Sequence, residues 1–152
     1  MLPSLSVCAT ALKSSRRFPV PRVDVDRTGA TKSRTLEFFV LYTGWNSARE
    51  FCLSPVAGEP LGIEFTKSVE MRLLRYERAG LLRRRRRKRG YEYSISMRGE
   101  ERLVFLWERL GLLNPGTATT VEDKEVMRSR LRIASFLAKK HANERRAVRG
   151  GS

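Results

Sequence analysis

The chain has 152 residues, and its 31 Lys and Arg against 16 Asp and Glu give a formal charge of +15. That length suits one compact domain with extensions. A charge of that size repels itself in the folded state, so a polyanion is the expected partner class, either nucleic acid or an acidic membrane surface. Two well-separated cysteines, Cys8 and Cys52, exclude a disulfide framework, lack zinc-like spacing and fit a reducing compartment.

No apolar run approaches the ~18 residues of a membrane span, so no membrane is expected. Residues 1–33 contain Pro3, Pro19, Pro21 and Gly29 and show no sustained period, which predicts a basic, irregular N-terminal arm. Its start is Ser-rich, carries Lys13, Arg16 and Arg17, and has no acid before Asp24. An organelle transit peptide, a disordered basic arm and a start codon placed too early all share that composition. Val23 and Val25 alternate with Asp24 and Asp26, which allows a short extended piece.

Ser33 or Thr35 can cap a helix running through Leu36, Phe38, Phe39, Val40 and Tyr42 and ending at Gly44. Asn46 or Ser47 then caps a short helix, with Glu50 three residues after Ser47 in capping-box spacing. Pro55, Gly58, Pro60 and Gly62 make 54–62 a loop. Thr66 is placed to cap a third helix, Lys67–Ala79, with Gly80 as its left-handed terminator. Leu81 and Leu82 lead into the basic run Arg83–Arg89. Gly90 and the alternating Tyr91-Glu92-Tyr93-Ser94-Ile95-Ser96 follow. The two runs around an Arg-Gly turn predict a β-hairpin. Ser96 caps a fourth helix through Leu103, Leu106, Trp107 and Leu110. Thr120 caps a long last helix within 117–146, its apolar stripe formed by Met127, Leu131, Ala134, Leu137 and Ala138 and widened by Val126, Ile133 and Phe136. Residues 147–152 are expected to be a disordered tail.

The fold class expected is mainly α with a small β-hairpin. The order helix, short helix, helix, basic hairpin, helix over residues 34–113 is the plan of a winged helix-turn-helix, extended by the N-terminal arm and the long C-terminal helix. The segment TKSVEMRLLRYERAGLLRRRRRKRGYEYSISMRGEERLVFL resembles the recognition helix, wing and following helix of prokaryotic winged-helix regulators of the MarR and PadR kind, closest to small archaeal winged-helix proteins. Ala79-Gly80-Leu81-Leu82 matches the helix exit, Arg83 to Lys88 the basic strand, Arg89-Gly90 the wing turn, and Tyr91 to Ile95 the aromatic strand. Ser96 through Leu103 matches the capped start of the next helix. The likeness covers about half of the chain. It implies DNA binding, and a dimer built by the terminal helix; a helix folded back on its own domain is the alternative.

In the third helix Val69, Leu73 and Tyr76 fall at i, i+4 and i+7 and are expected to bury together. Lys67, Ser68, Glu70, Met71 and Leu74 then face outward, with Arg72, Arg75 and Arg78 at the rims. Lys67, Ser68, Arg72, Arg75 and Arg78, with Arg83, Arg85, Arg87, Lys88 and Arg89 of the wing, are the candidate nucleic-acid contacts. Alternate arginines of the run should point to opposite faces of the hairpin. Met71 and Leu74 can touch thymine methyls or pack against a partner. Tyr91 and Tyr93 are expected in the core, and Trp45 and Trp107 as core or interface anchors. The sole histidine, His141, lies in a basic stretch and is expected to be solvated.

No catalytic constellation is present. Cys52 lacks a histidine partner, no glycine-rich phosphate loop occurs, and Glu50, Glu59, Glu64 and Glu70 each have a capping or surface role. Asp24 and Asp26 alone are weak metal ligands. The sequence therefore predicts a non-enzymatic protein without cofactor or metal. Its expected role is that of a DNA-binding transcriptional regulator in the cytoplasm, associated with the nucleoid or the ribosome. An rRNA-bound accessory ribosomal protein and a protein-docking adaptor in transcription or replication are the alternatives.

Overall fold

The computed structural model describes residues 25–55 and 60–151. Cys8, most of the predicted arm and Glu59 lie outside the described residues. The elements are α1 (Val25–Leu41), α2 (Ala48–Leu53), α3 (Thr66–Arg78), β1 (Leu82–Arg87), β2 (Gly90–Ile95), α4 (Met97–Arg109) and α5 (Val121–Gly150), with single 3-10 turns at Ile63–Phe65 and Pro115–Thr117. The result is mostly helix with a two-stranded antiparallel hairpin.

The first helix starts about two turns before the predicted cap. Ser33 and Thr35 are buried inside it, and the Thr35 hydroxyl donates to the Thr31 carbonyl at 2.8 Å instead of capping. Residues 25–33 are thus helical, not part of an irregular arm. Local propensity there is weak, and packing along α4 supplies the stabilisation that propensity lacks. Gly29 belongs to that contact: a Cβ built on it would sit 3.8 Å from Leu110 and 3.9 Å from Leu106, ordinary van der Waals distances.

The second helix follows its sequence signature. Ser47 accepts from the Glu50 N–H, and the Glu50 carboxylate accepts from the Ser47 N–H, closing the capping box. Thr66 behaves differently from expectation. It is the first residue of α3, entered from the 3-10 turn, and its hydroxyl donates back to Ile63 at 2.7 Å. Gly80 ends the helix at φ 77°, as its position predicts.

The core is one cluster. Leu36, Phe38 and Phe39 of α1 meet Phe51 and Cys52 of α2, Val69 and Leu73 of α3, Leu81, Leu82 and Tyr93 of the hairpin, and Leu103, Leu106 and Trp107 of α4. Phe38 makes edge-on contacts with Phe39 at 5.0 Å and Phe51 at 5.2 Å. Leu82 pairs with Ile95 and Arg87 with Gly90, so Lys88 and Arg89 form the two-residue turn. Gly90, at φ 98°, closes it. Asn46 adds a bridge to Tyr93, tying the hairpin to the loop before α2.

The hairpin joins the helices at one crowded junction. The Ser96 hydroxyl donates to the Gly80 carbonyl at 2.6 Å and accepts from the Gly99 N–H at 3.1 Å. The Ser96 N–H donates to the Leu81 carbonyl at 3.1 Å. A Cβ on Gly99 would stand 2.1 Å from that same carbonyl oxygen and 2.8 Å from Ile95.

The last helix folds back on its own domain. Met127 and Leu137 are buried, with Ile133 and Ala134 packed against the core, while Val126, Leu131 and Phe136 stay exposed. Three ion pairs hold it. Arg130 donates to both oxygens of Glu37 at 3.1 and 3.2 Å, Lys140 to Glu100 at 2.8 Å, and Arg145 to Glu101. His141 is 6% exposed, with Nε2 2.7 Å from Glu100, which corrects the expectation of a solvated histidine. The helix also continues through Gly150, so 147–150 are not a tail: Ala147 and Val148 extend it, and Arg149 complements the carbonyl end.

Two outcomes follow. Gly99→Ala should destabilise by about 1–3 kcal/mol through overpacking, whereas Gly29→Ala should stabilise by about 0.5–1 kcal/mol through helix propensity; urea unfolding measures both. The Thr120 hydroxyl, and then its backbone N–H, hold the Asp123 carboxyl below the usual carboxylate range. Its folded pKa is depressed, so the cap is intact above about pH 4 and weakens as pH falls through the folded value. Amide exchange in the first turn of α5 should accelerate over that acid range.

Candidate nucleic-acid interface

A strand of successive arginines folds here because its neighbours divide it into two faces. Side chains alternate across a strand, and the register places Arg84 opposite Tyr93, Arg86 opposite Tyr91, Arg83 opposite Ser94 and Arg85 opposite Glu92. Leu82 and Tyr93 anchor the first face in the core. Burial pushes the Tyr93 hydroxyl up, the Arg84 guanidinium lowers it, and Glu70 and Glu77 of α3 raise it again. Tyr93 and Arg84 therefore look towards α3. Arg84 lies 4.6 Å over the Tyr91 ring, which is exposed rather than in the core.

The other face carries Arg83, Arg85 and Arg87. Arg85 and Arg87 share Glu92, at 2.7 and 3.0 Å. Arg85 sits 4.6 Å over the Trp45 ring and Arg83 5.8 Å from it, so half-buried Trp45 is an arginine platform and not a core anchor. Arg83 also donates to Ser94 and lines a cleft of about 380 Å³ with Phe136 and Lys140 of α5. This face is turned towards the end of α1 and α5.

In α3, Val69, Leu73 and Tyr76 are buried as their spacing predicts. Lys67, Ser68, Arg75 and Arg78 are exposed, alongside Met71 at 52%. Burial pushes the Tyr76 hydroxyl and the Cys52 thiol up, and half-buried Arg72 partly offsets this at both by favouring the anion. It is not on the outward face. Leu74 is half-buried.

Lys67, Arg75 and Arg78 are exposed on α3, and alternation puts Arg84 and Arg86 on the hairpin face of Tyr93, on which Glu70 and Glu77 of α3 also act. Arg83, Arg85 and Arg87 point the other way. Arg84 and Arg86 are exposed cations outside the set that sequence selection named. The signal that finds them is the period-two alternation starting at buried Leu82. Among the described residues, Arg86, Lys88 and Arg89 have no acidic partner. Also among the described residues, no three His, Cys, Asp or Glu side chains cluster as a metal site would require, and no helix is long and apolar enough to cross a membrane.

No family model, curated protein or solved structure matches the chain.

Glu92 neutralises two of the hairpin arginines. Glu92→Gln should release Arg85 and Arg87, each leaving an exposed pair worth about 0.2–1 kcal/mol. Because Arg85 and Arg87 lie on the hairpin face away from Arg84 and Arg86, the variant should elute from an immobilised duplex-DNA column at nearly the parent's salt. Elution at clearly higher salt would bring these two arginines into the polyanion contact.

Proposed function

We propose that this chain is a non-enzymatic nucleic-acid-binding protein of winged-helix type, related in plan to MarR- and PadR-like regulators, and that its ligand is duplex DNA. The arginine hairpin holds phosphates as the wing, and α3 lies against a groove. The observation that carries this reading is the exposed cationic hairpin, with Arg84, Arg86, Lys88 and Arg89, following directly on a helix that exposes Lys67, Arg75 and Arg78.

The element order of α1 to α4 and the added Asn46–Tyr93 bridge support the winged-helix plan. A major groove about 12 Å wide accepts one helix, and an adjacent hairpin then reaches the flanking backbone. The aromatic rings favour duplex over unstacked single strands. Stacking platforms must be open to bases, whereas Arg84 occupies one face of the exposed Tyr91 ring and Arg85 one face of half-buried Trp45. Met71 on the exposed face of α3 supplies an apolar contact for thymine methyls. Binding by such a surface is dominated by phosphate neutralisation, with transcriptional regulation as the use.

The test is fluorescence anisotropy with a short duplex across a salt series. Replacing Arg84, Arg86 and Lys88 together by Ala should weaken binding to all sequences and reduce the slope of log K against log salt by roughly 2–3, at about 0.9 per lost phosphate contact. Unchanged affinity and slope would remove the wing from the interface. Absence of duplex binding at ~50–100 mM salt, with co-sedimentation on ribosomal particles instead, would replace DNA by rRNA.

A further inference from the structure

The cations of α5 are sorted by direction. Those on the side of the domain are each paired with an acid: Arg130 with Glu37, Lys140 with Glu100, and Arg145 with Glu101. Those on the opposite face are Lys124, Arg128, Arg132, Lys139 and Arg146, all exposed. At ~100° per residue these five fall within a sector of about 80°. They extend over roughly 33 Å at a rise of about 1.5 Å per residue. None has an acidic partner among the described residues. The acids Glu122, Asp123 and Glu125 sit at the beginning of the helix, and after them Glu144 is the single acid up to Gly150.

We propose that this outer face of α5 is a second phosphate-binding surface, separate from the hairpin, so that one chain can hold two stretches of nucleic-acid backbone. The surface is separate because α5 meets the domain through α4 and the Glu37 pair on α1, with no comparable packing against α3. Its stripe points away from that contact. Its length is close to one duplex turn of about 34–36 Å, along which phosphates follow at about 1.7 Å of axis per charge. A lipid surface fits less well. An interfacial helix turns its apolar face to lipid, and here Met127, Ile133 and Leu137 face the domain. The carboxylates of the domain neutralise the inward cations and so prevent them from competing for the same ligand.

The inference does not rest on the wing reading, and two variants separate them. One replaces Lys124, Arg128, Arg132, Lys139 and Arg146 by Gln; the other is the Arg84, Arg86 and Lys88 triple. The α5 variant should bind a 30-base-pair duplex at least tenfold more weakly at ~100 mM salt. Its salt slope should fall by roughly 3–4, at about 0.9 per contact. The wing triple should keep that component. In a capture assay, wild type bound to an immobilised duplex should retain a second, labelled duplex, and each variant should lose this while still binding one. Unchanged affinity and slope in the α5 variant overturn the proposal. Second-duplex capture that survives in the α5 variant overturns it too, because two wings of a dimer would then account for bridging. Preferential sedimentation with phosphatidylserine vesicles over duplex at equal salt overturns nucleic acid as the occupant. The substituted positions are exposed and Gln favours helix; far-ultraviolet circular dichroism checks the fold. Independently of any variant, duplex should protect Lys124 and Lys139 of the wild-type protein from acylation by an N-hydroxysuccinimide ester. Full reactivity of both in the complex overturns the proposal.

Discussion

The angle between the hairpin and the helices is set where the backbone of Gly99 meets the carbonyl of Leu81. A side chain at residue 99 would overlap that oxygen, so the start of α4 can press directly onto the start of β1. Ser96 reinforces the contact by linking the Gly80 carbonyl, at the exit of α3, to the Gly99 N–H, at the entry of α4. Three elements therefore leave one point in fixed directions. The close approach at Gly99 and the Ser96 hydrogen bonds fix the direction in which the hairpin leaves α3 and meets α4.

Electrostatic self-repulsion is the opposing constraint. Few acids are available to offset the cations, and their placement decides which cations remain free. Glu37, Glu100 and Glu101 bind the inner face of α5 to the domain. Glu92 restrains the hairpin face that looks away from α3. Removing one member of a buried pair leaves an uncompensated charge, which is costly, so Glu37 and Glu100 bind α5 more firmly than its short apolar contact would alone. Among the unpaired cations are two groups, one exposed on α3 and the hairpin and one along the outside of α5. Neither set is relieved within the described chain, and each gains from a polyanion.

Arginine, rather than lysine, makes such a strand feasible. Guanidinium groups stack on aromatic faces, and Trp45 and Tyr91 each carry one on opposite sides of the ladder. The rings hold the cations in place along the strand.

Much of the fold was legible along the chain because its signals are local. The Ser47 and Thr120 caps, the Gly80 and Gly90 turns, the Ser96 start of α4 and the Val69–Leu73–Tyr76 stripe all depend on residues a few positions apart. The sequence by itself determined a helical chain with a basic hairpin and a large positive charge. Tertiary structure decided what local signals cannot carry. It extended α1 back to Val25 through packing on α4 and continued α5 to Gly150. It buried His141 against a carboxylate some forty residues earlier. It also divided the arginines of one strand between two faces, Arg83, Arg85 and Arg87 on one and Arg84 and Arg86 on the other. The reason is the same in each case: a side chain's direction and charge partner are fixed by elements distant in sequence, and only packing brings those elements together.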